Sequence, residues 1–267
     1  MNVLYKYCDQ LGAVKILGSL ELKLPYISEV NDPLECMPVF DEGNITSMKK
    51  DCIRRFRKKG RVPSSNWEQI LKTKWNTGKV LELKKKLAGY INDMKRTSCL
   101  LSVSETAQNT VMWAHYAEKH RGVIIGFDFE YYFRNMEPVR YSTRRPKLNI
   151  FDDYHSSKYK KKYFKTLITK SSEWVYEKEF RNILDDSDLA NFEKGGLASF
   201  KGFNGKKTWF LRLNPESIKE VIFGLYAEDG LKSSIKQLIN RPELQHVKLL
   251  QTEESETYTL NLTELNK

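Results

Sequence analysis

No stretch of the 267-residue sequence approaches the roughly 18 consecutive apolar residues that a membrane-spanning helix requires. The first eleven residues, Met1 to Leu11, are broken at once by polar and charged side chains, so no signal-peptide core is expected and a cytoplasmic location is. Cysteine is scarce: Cys8, Cys36, Cys52 and Cys99 lie far apart, without the short spacings of zinc sites or redox pairs, and are expected to be free thiols. Of the four histidines only His115 and His120 are close together, which gives no basis for a metal site. Internal repeats and low-complexity tracts are missing too. With 40% hydrophobic and 12% aromatic residues, the chain can bury a core, which excludes wholesale disorder.

What is present in excess is positive charge, +11 from 45 Lys and Arg against 34 Asp and Glu. It is unevenly placed. Residues 49–96 hold 16 basic and 4 acidic side chains, and residues 140–170 hold 10 and 2. The remainder is acidic, with 19 basic against 28 acidic side chains. An acidic body bearing two basic segments suits a polyanion or an acidic protein partner. The candidate nucleic-acid contacts are Arg54, Arg55, Arg57, Lys58, Lys84 and Lys85 in the first segment and Lys160 and Lys161 in the second. A membrane-surface role is not expected, because no basic helix carries a broad exposed apolar face.

Hydrophobic spacing predicts an α+β fold. Three amphipathic stripes, Met48–Phe56, Trp67–Trp75 and Leu83–Met94, predict short helices with basic outer faces, separated by Pro63–Asn66 and Asn76–Gly78. They form a basic helical insert over residues 44–96 of a single domain spanning 1–267. Strands are predicted at Val3–Tyr7, Leu20–Leu24, Cys99–Ser104, Gly122–Phe129, Val139–Ser142, Thr208–Leu213 and Ile218–Phe223, with two more between 246 and 263. Helices are predicted at Gly12–Leu17, Met112–His120, Tyr154–Lys170 and Leu231–Ile239.

Four short constellations could carry chemistry. Tyr5-Lys6-Tyr7 sits on the opening strand. Asn31-Asp32-Pro33-Leu34-Glu35 is a turn whose Asn and Asp can cap backbone amides or contact a ligand. Ser102 and Ser104 end a buried strand and lead into Met112-Trp113-Ala114-His115-Tyr116-Ala117; the serines can donate into a cleft or satisfy local backbone. In Trp174–Arg181, an extended chain would put Glu177, Glu179 and Arg181 on one face, whereas a helix would make Glu177 and Arg181 an ordinary surface pair. No hydrolase triad can be assembled around His115.

In order and spacing, Leu4–Tyr7, Asn31–Glu35, Met112–Ala117 with Gly122, and Trp174–Arg181 resemble the bacterial domain-of-unknown-function family 2971. The layout is also similar, more distantly, to the ADP-ribosyltransferase superfamily, including its nucleic-acid-modifying toxins. That resemblance implies a mixed, mostly antiparallel sheet with flanking helices, and NAD as co-substrate with no metal. It implies dinucleotide contacts from Tyr5, Lys6, Tyr7, Asn31, Asp32, Ser102, Ser104, Trp113, Tyr116 and Arg181. The catalytic carboxylate would be Glu179, preferred over Glu177. Lys6 stands where the superfamily usually has His or Arg, and no clear Ser-Thr-Ser is present.

The implied chemistry is physically sensible. Cleaving the nicotinamide–ribose bond develops oxocarbenium character, which one carboxylate stabilises while a second orients or deprotonates the acceptor. Lys6 and Arg181 would neutralise the diphosphate. The expectation is therefore an ADP-ribosyltransferase acting on RNA or DNA as a toxin-like effector in bacterial or phage defence. The alternatives are a non-enzymatic nucleic-acid-binding module and a module that docks an acidic partner such as an antitoxin.

Overall fold

A computed structural model describes residues 3–42, 50, 53, 54, 57, 60, 77–133, 136–152, 156–203 and 206–266. In chain order the elements are β1 (Leu4–Cys8), α1 (Gln10–Ser19), β2 (Glu21–Leu24), β3 (Val39–Asp41), α2 (Thr77–Thr97), β4 (Cys99–Ser104) and α3 (Thr110–Tyr116). Then follow β5 (Val123–Phe127), β6 (Glu137–Pro138), β7 (Arg140–Ser142), β8 (Lys147–Asn149), α4 (Ser157–Leu167), β9 (Thr169–Ser171) and β10 (Glu179–Leu184). The chain ends with α5 (Asp186–Lys194), β11 (Ala198–Phe203), β12 (Lys206–Arg212), β13 (Ile218–Phe223), α6 (Asp229–Ile239), β14 (Lys248–Glu253) and β15 (Asn261–Glu264). Two compact units result: Met1–Tyr26 with Ser98–Val139 and Ser172–Lys267, and Ile27–Thr97 with Arg140–Ser171. No helix among the described residues is long and apolar enough to cross a membrane.

The first unit is built on an eight-stranded sheet in the order β15-β14-β13-β5-β1-β4-β10-β6. Every pairing in it is antiparallel except β13 with β14, which α6 connects as a crossover. The mixed, largely antiparallel sheet of the sequence reading is thus present. β5 is central and buried along its whole length, as its apolar run Val123-Ile124-Ile125 demands. One sheet face packs Leu4, Val103, Ile125 and Phe127 against α1, α6 and the three-stranded sheet β11-β12-β2. The other carries Tyr7, Ile124 and Ile222 and is covered by Met112, Trp113 and Ala117 at α3.

Local chemistry sets the element ends. Asp9 caps α1 by accepting from the Gly12 amide, and Asn109 caps α3 by accepting from Met112 at 3.0 Å. α3 stops at Tyr116, short of the predicted His120, because Glu118, Lys119 and His120 adopt left-handed backbone with φ of 49°, 54° and 67°. That turn delivers the chain to Gly122, where a Cβ would lie 2.2 Å from the Cys8 carbonyl, so only glycine admits this approach. The strand predicted to Phe129 ends at Phe127, since Asp128 caps a following 3-10 turn at the Glu130 amide. β3, β6, β8, β9, β11 and α5 were not foreseen.

In the second unit α2 buries Val80, Leu87 and Ile91 and leaves Lys85 and Lys86 exposed. α4 is shorter than the predicted Tyr154–Lys170 helix, because the chain turns extended at β9. It buries Tyr159, Tyr163, Thr166 and Leu167. β3 pairs with β8, and β7 with β9, both in parallel. The stripes Met48–Phe56 and Trp67–Trp75 lie outside the described residues except at Lys50, Ile53 and Arg54. Both basic segments of the sequence fall in this unit. Its two chain stretches hold 26 Lys and Arg against 11 Asp and Glu, a formal +15.

Candidate active site

Residues directly opposite one another in antiparallel strands point to the same face. On β1, Tyr5 lies opposite Ser104 of β4, and Ser104 lies opposite Glu179 of β10. In the other direction Tyr5 lies opposite Gly126 of β5, and Gly126 opposite Glu220 of β13. Glu220, Gly126, Tyr5, Ser104 and Glu179 therefore form one transverse row across five strands. At Gly126 a Cβ would sit 2.8 Å from Glu220 Cγ and 3.3 Å from Tyr5 Cε1. Its absence leaves room for the Tyr5 ring to lie across β5 toward the Glu220 side chain. Burial first, then the neighbouring Glu220 carboxylate, hold the Tyr5 phenol well above its ordinary pKa.

Both candidate glutamates are buried. Glu179 is 7% exposed and accepts from Arg181 Nε at 2.7 Å and from Nη2 at 2.9 Å, a two-bond fork. Arg181 is fully buried, so its charge serves to hold Glu179. It is not turned outward to a diphosphate, as the sequence reading expected. Glu177, 3% exposed, accepts from the Tyr116 hydroxyl at 2.7 Å. Its own carbonyl accepts from Ser104 Oγ at 2.6 Å, so Ser104 does satisfy backbone, and the backbone it satisfies is that of the site.

Between the two glutamates the chain changes conformation. Ser172–Glu177 is a 3-10 turn, Lys178 takes left-handed φ of 44°, and β10 begins at Glu179. The extended and helical alternatives for this segment are thus each realised over half of it. A left-handed lysine is strained, and strain of this kind gathers at functional sites.

The β1–β4 ladder consists of a single register pair, Tyr5 with Ser104. Next to it Lys6 Nζ donates to the Ser102 carbonyl at 2.9 Å. Burial lowers the Lys6 pKa, opposed by the neighbouring Cys8 side chain and the Glu179 carboxylate. Cys8 is an inert thiol, pushed up to about 12 by burial. Cys8, Cys36 and Cys99 are in no disulfide, as expected, and all three are buried; Cys52 lies outside the described residues.

Several expected contacts have other duties. Trp113 is fully buried; it donates to the Ala107 carbonyl at 2.7 Å and meets Tyr7 edge-on, so it supports the site from the core. Tyr7 donates to the Thr106 carbonyl at 2.8 Å. Asn31 and Asp32 belong to the second unit, where Asp32 Oδ1 accepts from the Leu34 amide in an Asx turn and Glu35 pairs with buried Lys170 at 3.6 Å. Of the nucleic-acid candidates, Arg57, Lys85, Lys160 and Lys161 are exposed. Arg54 donates to the Phe151 carbonyl, Lys84 pairs with Glu42, and Arg55 and Lys58 lie outside the described residues. Among the described residues no group of three or more His, Cys, Asp or Glu side chains could hold a metal.

Sequence reasoning missed Glu220 and Gly126, whose part in the row becomes visible only through strand register.

Fold and site together define an α+β protein with a largely antiparallel sheet that holds two buried glutamates and an arginine fork. Residues 112–182, from α3 to β10, match the family described as Protein of unknown function (DUF2971). Comparison with the curated proteins and with the solved structures returns no match.

Proposed function

We propose that the chain is an NAD-dependent ADP-ribosyltransferase that modifies nucleic acid, as a toxin-like effector in bacterial or phage defence. The observation that carries this reading is the row of Tyr5, Ser104 and Glu179 on three neighbouring strands, with Glu177 fixed beside it by Ser104 and Tyr116. Carboxylates and hydroxyls on one sheet face suit a ribose. Bound there, NAD supplies a glycosidic bond whose cleavage leaves positive charge on the sugar as nicotinamide departs with the bonding electrons. Glu179 faces that charge and accepts from a ribose hydroxyl, held in place by the Arg181 fork. Arg181 is a positioning residue. Glu177 orients the acceptor and takes the proton it loses.

With Arg181 occupied internally, the cations for a diphosphate come from elsewhere; exposed Lys178, between the two glutamates, is the nearest in sequence. The test is transfer of label from NAD to RNA or DNA. Glu179→Gln and Glu177→Gln are each expected to abolish transfer, and full transfer by both folded variants overturns the reading.

A second reading, a non-enzymatic nucleic-acid-binding or partner-docking module of a defence or toxin–antitoxin system, is favoured by the +15 charge of one unit. Salt-dependent oligonucleotide binding without label transfer selects it. Tight capture of an acidic protein with neither activity selects its docking form.

A further inference from the structure

The charge of the first unit is not spread evenly. Residues 194–215 hold five Lys and Arg and no Asp or Glu, whereas the rest of that unit holds 14 basic against 23 acidic side chains. The stretch folds as the hairpin of β11 and β12. β2 pairs with Trp209–Arg212, so beyond Trp209 the three-stranded sheet narrows to a two-stranded ribbon. Phe200, Lys201, Gly202 and Lys207 of that ribbon are exposed.

Each face of the hairpin holds one lysine over one phenylalanine. Opposite residues share a face and neighbours alternate, which puts Lys201 with Phe210 on one side and Lys207 with Phe200 on the other. Lys201 Nζ lies 5.0 Å from the Phe210 centroid, and Lys207 Nζ lies 5.1 Å from that of Phe200. A ring steadies an ammonium through its quadrupole without neutralising it. Lys207 has no ion pair among the described residues, and Lys201 shares its charge with Glu21 at the surface.

We propose that this ribbon enters the major groove of duplex DNA, with Lys201 and Lys207 meeting the phosphates of its two walls. A groove about 12 Å wide admits a two-stranded β-ribbon and presents anions to both of its faces at once. The deep, narrow major groove of an RNA duplex does not admit one. An acidic protein or a membrane fits less well, because each ring is capped by an ammonium and no open apolar core is left to bury. The inference rests on the nucleic-acid half of the proposed function and not on its transfer chemistry; it names duplex DNA as the polymer held.

The test is equilibrium binding of the full chain to a short fluorescent DNA duplex across a range of salt. Wild type is compared with the double variant Lys201→Ala, Lys207→Ala, and with Lys15→Ala, Lys232→Ala, a control pair in the same unit but outside the hairpin. Both hairpin lysines are exposed, so the melting temperature should not move. The double variant is expected to lower the slope of log K against log salt by about 1.8, which weakens binding about 60-fold at 0.1 M salt and hardly at all near 1 M. Lys207→Ala alone should lower the slope by about 0.9. Glu21→Gln removes the carboxylate that shares the Lys201 charge and is expected to tighten binding about threefold.

Equal slopes for wild type and the double variant, an equal loss in the control pair, or no duplex binding by wild type overturns the proposal. Tighter lysine-dependent binding of single strands, of an RNA duplex or of anionic vesicles than of the DNA duplex overturns it as well. Hairpin-dependent binding without NAD consumption keeps the ribbon and defeats the transferase reading. NAD consumption with binding indifferent to the hairpin does the reverse.

Discussion

Replacing Glu179 by Gln should destabilise the first unit, and the size of the effect follows from the arginine beneath it. Arg181 is fully buried and both its bonds to Glu179, at 2.7 and 2.9 Å, go to a single carboxylate that is 7% exposed. Removing one partner of a buried pair costs about 3–5 kcal/mol, because the remaining charge loses a counter-charge in a poor dielectric. Gln retains one acceptor oxygen, which places the estimate near the lower end, about 3 kcal/mol. For a unit of this size that lowers the melting temperature by about 6–12 °C. Glu177→Gln keeps an acceptor for the neutral Tyr116 hydroxyl and should cost about 1 kcal/mol.

The double variant Glu179→Gln with Arg181→Met removes the buried guanidinium as well and should recover part of the loss. Thermal melts, with hydrogen exchange along Glu179–Leu184 to localise the change, provide the assay. A Glu179→Gln protein melting within about 1 °C of wild type would refute the reasoning, since a buried guanidinium cannot lose its counter-charge so cheaply.

Three further outcomes are expected. Burial lowers the His120 pKa, against a backbone hydrogen bond with Thr110 that raises it, and the ring stacks on Trp113 at 6.2 Å with its buried Nδ1 unpartnered. The folded pKa lies below the unfolded value of about 6.5, so the unfolded chain binds more protons between them; stability is full above about pH 6.5 and falls as pH drops toward the folded value. His120→Gln should flatten that slope in melts taken across the range. Gly122→Ala forces a Cβ to within 2.2 Å of the Cys8 carbonyl and should cost about 2–3 kcal/mol in denaturant unfolding. If Lys160 and Lys161 contact phosphates, replacing both by Ala lowers the slope of log K against log salt for single strands by about 1.4.

Much of the sheet was legible because its strands are apolar runs bounded by turn residues. Cys99–Ser104 matches β4 residue for residue, and Val123–Phe127 could hardly be anything but a buried strand. The Glu-x-Glu segment was harder. Period two and a helical period each describe part of it, and the switch rests on a left-handed Lys178 that no lysine announces. α5 hid behind polar composition, although its Asp185–Asp188 capping box stands in the sequence. Glu220 sits in Ile218–Phe223, which reads as core; its place beside Tyr5 depends on register across Gly126. The union of the two basic segments in one unit is a long-range fact that segment counts cannot contain.

The most direct measurement is release of nicotinamide from NAD by the full chain in the presence of single-stranded RNA or DNA, with Glu179→Gln and Glu177→Gln alongside. The account predicts release coupled to label on the nucleic acid, lost in both folded variants. No release by wild type with any nucleic acid, or undiminished release when both glutamates are replaced, would contradict it.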